Sequence, residues 1–355
     1  MADYSYQLHS ANKIMEDLLS PNIEAAVLAG AAGCGKTTIS QIIANKYLEK
    51  FPNANVLVLT HGQNLLKNQY LDNLRNPNVE INFTFSDFHS DFHALPQVFV
   101  GLPHSIKKYP IEKIDLLIVD ECHEFYLKKM VQNIIKDKNP THQVLLTGSP
   151  AEFNRLKKLG RRFKMTYIAG EELMKNDVFS SVDLDVVSVK YKKNARQSII
   201  EMLAHAKRKG QNLDKIMVAV NRISEAKNVA YHLKSIGRKV ALSTCKDDRN
   251  NIVVKDFKNG KYDALVVVQR GILGFSDNDI TGLFDIRCSS SVDISNQIFA
   301  RVLRKHPNNI RKFYYRCGDK KTKDFERQEI MLYKIKALMK RDVFIKYDGT
   351  NMRVA

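Results

Sequence analysis

The stretch Val27-Leu28-Ala29-Gly30-Ala31-Ala32-Gly33-Cys34-Gly35-Lys36-Thr37-Thr38 decides how the rest of the chain is read. A short apolar run leads into a glycine-rich turn, and the helix-patterned segment Ile39-Ser40-Gln41-Ile42-Ile43-Ala44 follows directly. Gly30, Gly35, Lys36 and Thr37 satisfy the pattern G-x-x-x-x-G-K-[ST] without a gap. Glycines let backbone N–H groups curl around phosphate oxygens, and the N-terminus of the following helix adds its positive dipole end. In such a turn Gly33 and Thr38 complete the cradle. Lys36 is then placed to reach the β- and γ-phosphates, and the Thr37 hydroxyl to ligate Mg²⁺. The stretch predicts a nucleoside triphosphate site.

Working outward, 355 residues with 44% hydrophobic content suffice for two globular domains with separate cores. No apolar run approaches the ~18 residues that span a bilayer. Residues Met1 to Tyr6 lack a basic segment followed by an apolar core, so no secretory signal is read there. The expectation is a cytoplasmic protein, in the host cytoplasm if phage-encoded, with no membrane partner. The five cysteines show neither C-x-x-C pairing nor ligand spacing with histidine, and they read as reduced thiols. The net charge of +18 is unevenly placed. Residues 1–180 hold 20 Lys+Arg and 19 Asp+Glu, whereas residues 181–355 hold 36 and 19. A neutral half joined to a half of +17 points to a polyanion partner. Beside a nucleotide site, that partner is nucleic acid.

Strand and helix signals alternate along the whole sequence. An amphipathic helix is expected from Tyr6 to about Leu19, then the strand and helix of the glycine-rich turn. Apolar runs at Val56–Thr60, Ile114–Asp120 and Gln143–Gly148 read as buried parallel strands, with shorter ones at Ile81–Phe85 and Gln97–Gly101. A helix is expected around Asn64–Gln69. The pattern loosens between Lys164 and Val189, which places a boundary near 180 and gives domains 1–180 and 181–355. The rhythm then restarts with strands at Lys215–Val220, Lys239–Ser243, Ala264–Val268, Gly282–Ile286 and Phe313–Tyr315. Helices are expected at Ser198–Lys207, Ser224–Ile236, Asp293–Leu303 and Lys323–Arg341. Alternation of this kind implies parallel, doubly wound α/β sheets.

Asp120-Glu121-Cys122-His123 closes the strand at Ile114–Val119, at the end where open α/β sheets bind ligands. Asp120 is assigned to Mg²⁺ and Glu121 to the water that attacks the γ-phosphate.

Together these residues resemble superfamily 2 helicases and translocases, over nearly the whole chain. Asp120-Glu121-Cys122-His123 looks like the DExH box of that family, and Gln7 is similar to the glutamine that reads adenine, which makes ATP the nucleotide. Thr60-His61 with Gln69 looks like motif Ia, with histidine in an unusual place, and Gly101-Leu102-Pro103-His104-Ser105 resembles the next strand-binding motif. Thr147-Gly148-Ser149-Pro150 looks like motif III. In the second half Val218-Ala219-Val220-Asn221 resembles motif IV, with Arg222 following it. Gly271-Ile272-Leu273-Gly274-Phe275-Ser276-Asp277 looks like motif V, preceded by Arg270. The resemblance implies that Gly274 and Asp277 face the nucleotide. Thr60, His61, Gln69, His104, Ser105, Asn221, Arg222 and Arg270 would face nucleic acid.

Gln297-Ile298-Phe299-Ala300-Arg301-Val302-Leu303-Arg304 resembles motif VI, with Ala300 in place of glycine. Arg301 and Arg304 lie three apart, a spacing that puts both on one helical face as paired arginine fingers. The run through Lys305-His306 is similar to phage branch-migration helicases of the UvsW kind. What this implies is two RecA-like domains with ATP in the cleft between them, and ATP hydrolysis that drives movement along DNA, single-stranded or branched. Replication or recombination proteins would be further partners. An RNA helicase of the DExH kind and a nucleotide-gated clamp that does not unwind are the alternatives.

Overall fold

The computed structural model describes residues 3–60, 80–85, 88–89, 97–104, 106, 111–148, 162–190, 194–244, 252–268 and 277–340. The chain divides into two compact units, Asp3–Gly170 and Glu171–Lys340.

The first unit holds strands β1 (Ala25–Gly30), β2 (Asn55–Leu59), β3 (Glu80–Phe85), β4 (Phe88–His89), β5 (Gln97–Gly101), β6 (Leu116–Val119), β7 (His142–Thr147) and β8 (Phe163–Ile168). They form one sheet in the order β4-β3-β5-β2-β6-β7-β1-β8. Only β3 and β4 pair antiparallel. Every residue of β1 and β6 is buried, as their continuous apolar sequences require of strands covered on both faces. The helices are α1 (Ser5–Leu18), α2 (Lys36–Lys50), α3 (Cys122–Phe125) and α4 (Lys129–Lys138). Helix α1 turns Ala11, Ile14 and Leu18 inward at helical spacing and packs on α2, β1 and β8. The buried Asp17 carboxylate holds Lys13 at 3.4 Å and Lys164 of β8 at 3.3 Å, which fixes the helix to the sheet edge. Parallel strands send all their carboxyl ends to one edge, so the segments after β1, β2, β5, β6 and β7 share it.

A short helix, α5 (Gly170–Lys175), starts at the boundary, and the second unit continues with β9 (Val182–Ser188), α6 (Ala195–Arg208), β10 (Ile216–Val220), α7 (Ile223–Ser235), β11 (Val240–Ser243), α8 (Ile252–Lys258), β12 (Ala264–Val268), β13 (Gly282–Asp285), α9 (Val292–Leu303), β14 (Lys312–Gly318) and α10 (Asp324–Met339). Its sheet runs β11-β12-β10-β13-β14-β9 and is parallel throughout. The division falls ahead of position 180 because the segment before β9 is tied into this unit. Phe179 bridges Arg304, Ser180 N–H donates to the Leu303 carbonyl at 2.7 Å, and Lys305 N–H donates to Val178 at 3.1 Å. Helix α8 had no counterpart in the sequence reading, since its seven residues are too few to show a period.

Candidate functional site

The first site is built at the carboxyl edge of the first sheet. Gly30 ends β1 so tightly that a Cβ there would stand 2.7 Å from Cys34 Sγ and 3.3 Å from the Ile168 side chain. Gly33 and Gly35 take φ of 92° and 82°, the left-handed region in which side chains are strained. These two turns return the chain to the start of α2, where Gly35 is the N-cap and Lys36 the first helical residue. Thr37 is half-buried and Thr38 exposed on the first turn.

Tyr6 and Gln7 of α1 lie against this loop. The buried Tyr6 hydroxyl donates to the Cys34 carbonyl at 2.8 Å, and Gln7 Nε2 lies 3.3 Å from the same hydroxyl. A Cβ on Gly35 would fall 2.5 Å from Gln7 Nε2. Gln7 is thus beside the loop, where the sequence placed it by resemblance alone. Tyr6 clamps the loop, a role the sequence did not assign.

Asp120 follows β6 and is 2% exposed, and its Oδ1 accepts the Glu121 N–H at 3.0 Å. Glu121 has φ of 48°, an uncommon conformation for a non-glycine residue. Glu121 Oε2 lies 3.5 Å from His123 Nδ1, and that nitrogen lies 3.0 Å from Thr147 Oγ1 at the end of β7. His123 therefore joins the acidic pair to the Thr147-Gly148 turn. Gly148 is the meeting point. A Cβ there would sit 3.4 Å from Lys36 Nζ and 3.9 Å from Glu121 Oε2.

Burial works to lower the pKa of Lys36, which is only 8% exposed, but Cys34 and the carboxylates of Glu121 and Asp120 outweigh it and the net shift is upward. Burial pushes the Cys34 and Cys122 thiols up, which disfavours their thiolates. The result is a fixed cation facing two carboxylates, at the mouth of a loop whose glycines leave room for a polyphosphate. Thr37 and Asp120 offer hard oxygen donors, the kind Mg²⁺ takes alongside water and phosphate. Among the described residues no group of three or more His, Cys, Asp or Glu forms an all-protein metal cage.

Thr60 is buried at the same edge, where its N–H donates to the Gly101 carbonyl at 3.1 Å. His104, after β5, is exposed. His61, Gln69, Ser105, Arg270 and Gly274 lie outside the described residues, as do the segments 61–79, 149–161 and 269–276.

In the second unit Asn221 and Arg222 stand at the carboxyl edge, after β10. Glu225 Oε2 accepts both their N–H groups at 3.1 Å, and Asn221 Nδ2 donates to the Arg287 carbonyl at 3.1 Å. Asp277 lies at the opposite edge. It pairs with Lys215 at 2.8 Å, just ahead of β10, and is 7% exposed. The structure therefore does not bring Asp277 to the edge shared by Asn221 and Arg222. Nearby, the buried Lys312 ammonium donates to the Asn278 carbonyl at 2.7 Å. Burial pushes it down to about 8 against the pull of Asp277 and Asp279.

Arg301 and Arg304 do not share a helical face, which corrects the sequence expectation. Helix α9 ends at Leu303, and Arg304 is its C-cap with extended backbone (φ −59°, ψ 141°). The bridge to Phe179 draws Arg304 out of the helix. Arg301 remains on α9, half-buried, and Arg304 is exposed. A buried network supports that helix. Tyr314 Oη donates to Asp285 Oδ2 at 2.8 Å, and Arg316 Nε stands 3.7 Å from the same oxygen. Arg316 also donates to Ser295 Oγ at 2.9 Å and to the Ser289 carbonyl at 2.8 Å.

Residues 1–152 match the family described as type III restriction enzyme, res subunit. No curated protein matches the chain in sequence. Among solved structures, S. cerevisiae Dbp5 bound to RNA and ADP BeF3 is similar at a TM-score of 0.66 and 14% identity, covering 95% of this chain and 90% of that one. A fragment of a putative HsdR subunit of a type I restriction enzyme from Vibrio vulnificus gives 0.67 and 14%, covering 90% and 65%. The ATP-dependent Type ISP restriction-modification enzyme LlaBIII, bound to DNA, gives 0.67 and 12%, covering 96% of this chain and 30% of that one. At these identities the likeness shows the fold, two RecA-like domains.

Proposed function

We propose that the protein is a nucleic-acid-stimulated ATPase that moves along DNA and acts on single-stranded or branched substrates. The observation that carries this is the convergence of Lys36 and Glu121 on Gly148, with His123 joining Glu121 to Thr147. Lys36 binds the terminal phosphates, the Gly30–Thr38 loop wraps the rest of the triphosphate, and Gln7 reads the adenine. Glu121 orients the attacking water. Mg²⁺ held by Thr37 and Asp120 would neutralise phosphate charge when bound. Arg301 is the arginine finger, and Arg304 has a lesser part. Because His123 touches both Glu121 and Thr147, a change at the γ-phosphate is felt in the segment after β7, which gives hydrolysis a route to movement. Thr60, His104, Asn221 and Arg222 stand at carboxyl edges and contribute contacts to the strand.

DNA is favoured over RNA by the restriction-enzyme family match over residues 1–152. The UvsW-like ending after Arg301 adds branched DNA as the preferred form. The test is ATP hydrolysis at matched salt with single-stranded, duplex and branched DNA and with RNA as cofactors. DNA should stimulate, and branched DNA at least as well as single strands. Stimulation by RNA alone would turn the reading to an RNA helicase, and tight binding without hydrolysis to a clamp.

A further inference from the structure

The second unit carries a pair of thiols that the ATPase chemistry does not use. Cys288 lies three residues beyond β13, and Cys317 is the penultimate residue of β14. Their sulfurs are 3.7 Å apart, and no disulfide joins them. Cys288 Sγ also lies 3.0 Å from the Asp285 carbonyl and 3.1 Å from that of Cys317.

Three features separate this pair from ordinary packed cysteines. Cys288 has φ of 47°, a conformation costing a non-glycine residue roughly 1–3 kcal/mol, and such strain persists only where the surroundings enforce it. The two thiols differ in access, since Cys288 is half-buried and Cys317 wholly buried. The Arg316 guanidinium, itself 0% exposed, lies close enough to interact electrostatically with Cys288. An accessible sulfur next to a sheltered second one is the arrangement of a redox sensor with its resolving partner.

We infer that Cys288 and Cys317 form a peroxide-sensitive dithiol whose closure to a disulfide slows the ATPase proposed above. The Cys288 thiolate attacks one peroxide oxygen, giving a sulfenic acid, and the other oxygen leaves as water after taking up a proton. Cys317 then attacks the sulfenic sulfur, the S–S bond forms, and the sulfenic oxygen departs as a second water. Two thiols lose two electrons, and one peroxide is reduced to two waters. To reach bonding distance the sulfurs close by about 1.7 Å, starting from 3.7 Å. That movement draws Cys288 from Arg316, the residue that also holds Ser289 and Ser295 at the start of α9. Arg301 lies on α9, so the switch reaches the ATPase through the helix that carries it.

The regulatory half of the inference rests on the ATPase reading, whereas the chemical half can be measured without it. The full chain is reduced, exposed to hydrogen peroxide in a concentration series, digested and analysed by mass spectrometry. A Cys288–Cys317 linked peptide should rise with peroxide and vanish with dithiothreitol. Cys317→Ser should instead leave a sulfenic acid at Cys288 that dimedone traps. Peroxide should lower the turnover of the native chain roughly 10- to 100-fold, as misplacements of about 1 Å do. Cys288→Ser should keep its turnover through the same treatment, which separates this pair from the loop residue Cys34. Absence of the linked peptide overturns the site, and a linked peptide with unchanged turnover overturns the switch. If the reduced chain shows no ATPase at all, the preceding reading fails, and the linked peptide alone decides the site.

Discussion

Replacing Gly35 by alanine attacks the phosphate loop at two points. At φ of 82° the backbone is left-handed, which costs a residue with a Cβ roughly 1–2 kcal/mol. The new methyl would also fall 2.5 Å from Gln7 Nε2, though 3.5 Å from Gln7 Cδ and 3.7 Å from Tyr6 Oη are ordinary contacts. The amide ends a flexible side chain, so it swings away and gives up its 3.3 Å bond to Tyr6, worth roughly 0.5–1.5 kcal/mol. Gly35→Ala should therefore destabilise by about 2–3 kcal/mol. Urea titrations of the wild type, Gly35→Ala, Gln7→Ala and the double variant separate the two parts. With alanine at position 7 the methyl meets no amide, so the double variant should cost less than the sum of the singles by about 1 kcal/mol. The Km for ATP should rise in both single variants, because each removes Gln7 from the adenine. Strictly additive costs would show that the Gln7 amide does not fill the space over Gly35. A cost for Gly35→Ala below about 0.5 kcal/mol would refute the left-handed loop itself.

Lys36→Ala should weaken ATP affinity roughly 10- to 100-fold, the loss of one charge-assisted contact, as read by titration calorimetry. Glu121→Gln should bind ATP as the wild type does and lose roughly 10²- to 10⁴-fold in turnover, and near-normal turnover would move the catalytic carboxylate elsewhere. Arg301→Ala should cost on the order of 10³-fold in turnover, whereas Arg304→Ala, outside the helix, should stay within about tenfold. Equal losses would return Arg304 to the same task. The Lys312 ammonium has a folded pKa of about 8 against 10.5 in the open chain, so between those values the unfolded state binds more protons and this group makes stability rise with pH. The penalty for burying its charge is full below pH 8 and fades above it. The wild type should accordingly gain about 2 kcal/mol on Lys312→Met between pH 8 and pH 9.5 in urea titrations, and a pH-independent gap would mean that the ammonium is not desolvated.

Features written within a few neighbouring residues were legible in the sequence. The Gly30–Thr37 spacing fixed loop, strand and helix together, and the apolar runs of β6, β7, β10 and β12 could only be strands covered on both sides. Contacts between distant residues were not legible. Tyr6 meets Cys34 across 28 positions and His123 meets Thr147 across 24, and no periodicity records either. The Arg304 expectation failed for the same reason. Its spacing from Arg301 is helical, but Arg304 lies just past the helix end, where its backbone pairs with Phe179, far away in sequence. Asp277 was carried over from the resemblance to motif V, yet it lies at the other edge of the sheet, paired with Lys215.

The strand order of the first sheet also constrains how the unit is made. β1, the first of its strands in sequence, lies between β7 and β8, the last two. The first of these neighbours, β7, is complete only once residue 147 has been synthesised. At roughly 5–20 residues per second, β1 waits on the order of 10 s with both edges open. All six of its residues become buried in the finished unit, so a short apolar segment with unpaired backbone is exposed during that interval. Helix α1, complete before β1 appears, packs on β1 in the final structure and is an early element able to cover it. Trimming α1 should therefore lower the yield of folded protein during synthesis by more than it lowers the stability of chains that have already folded.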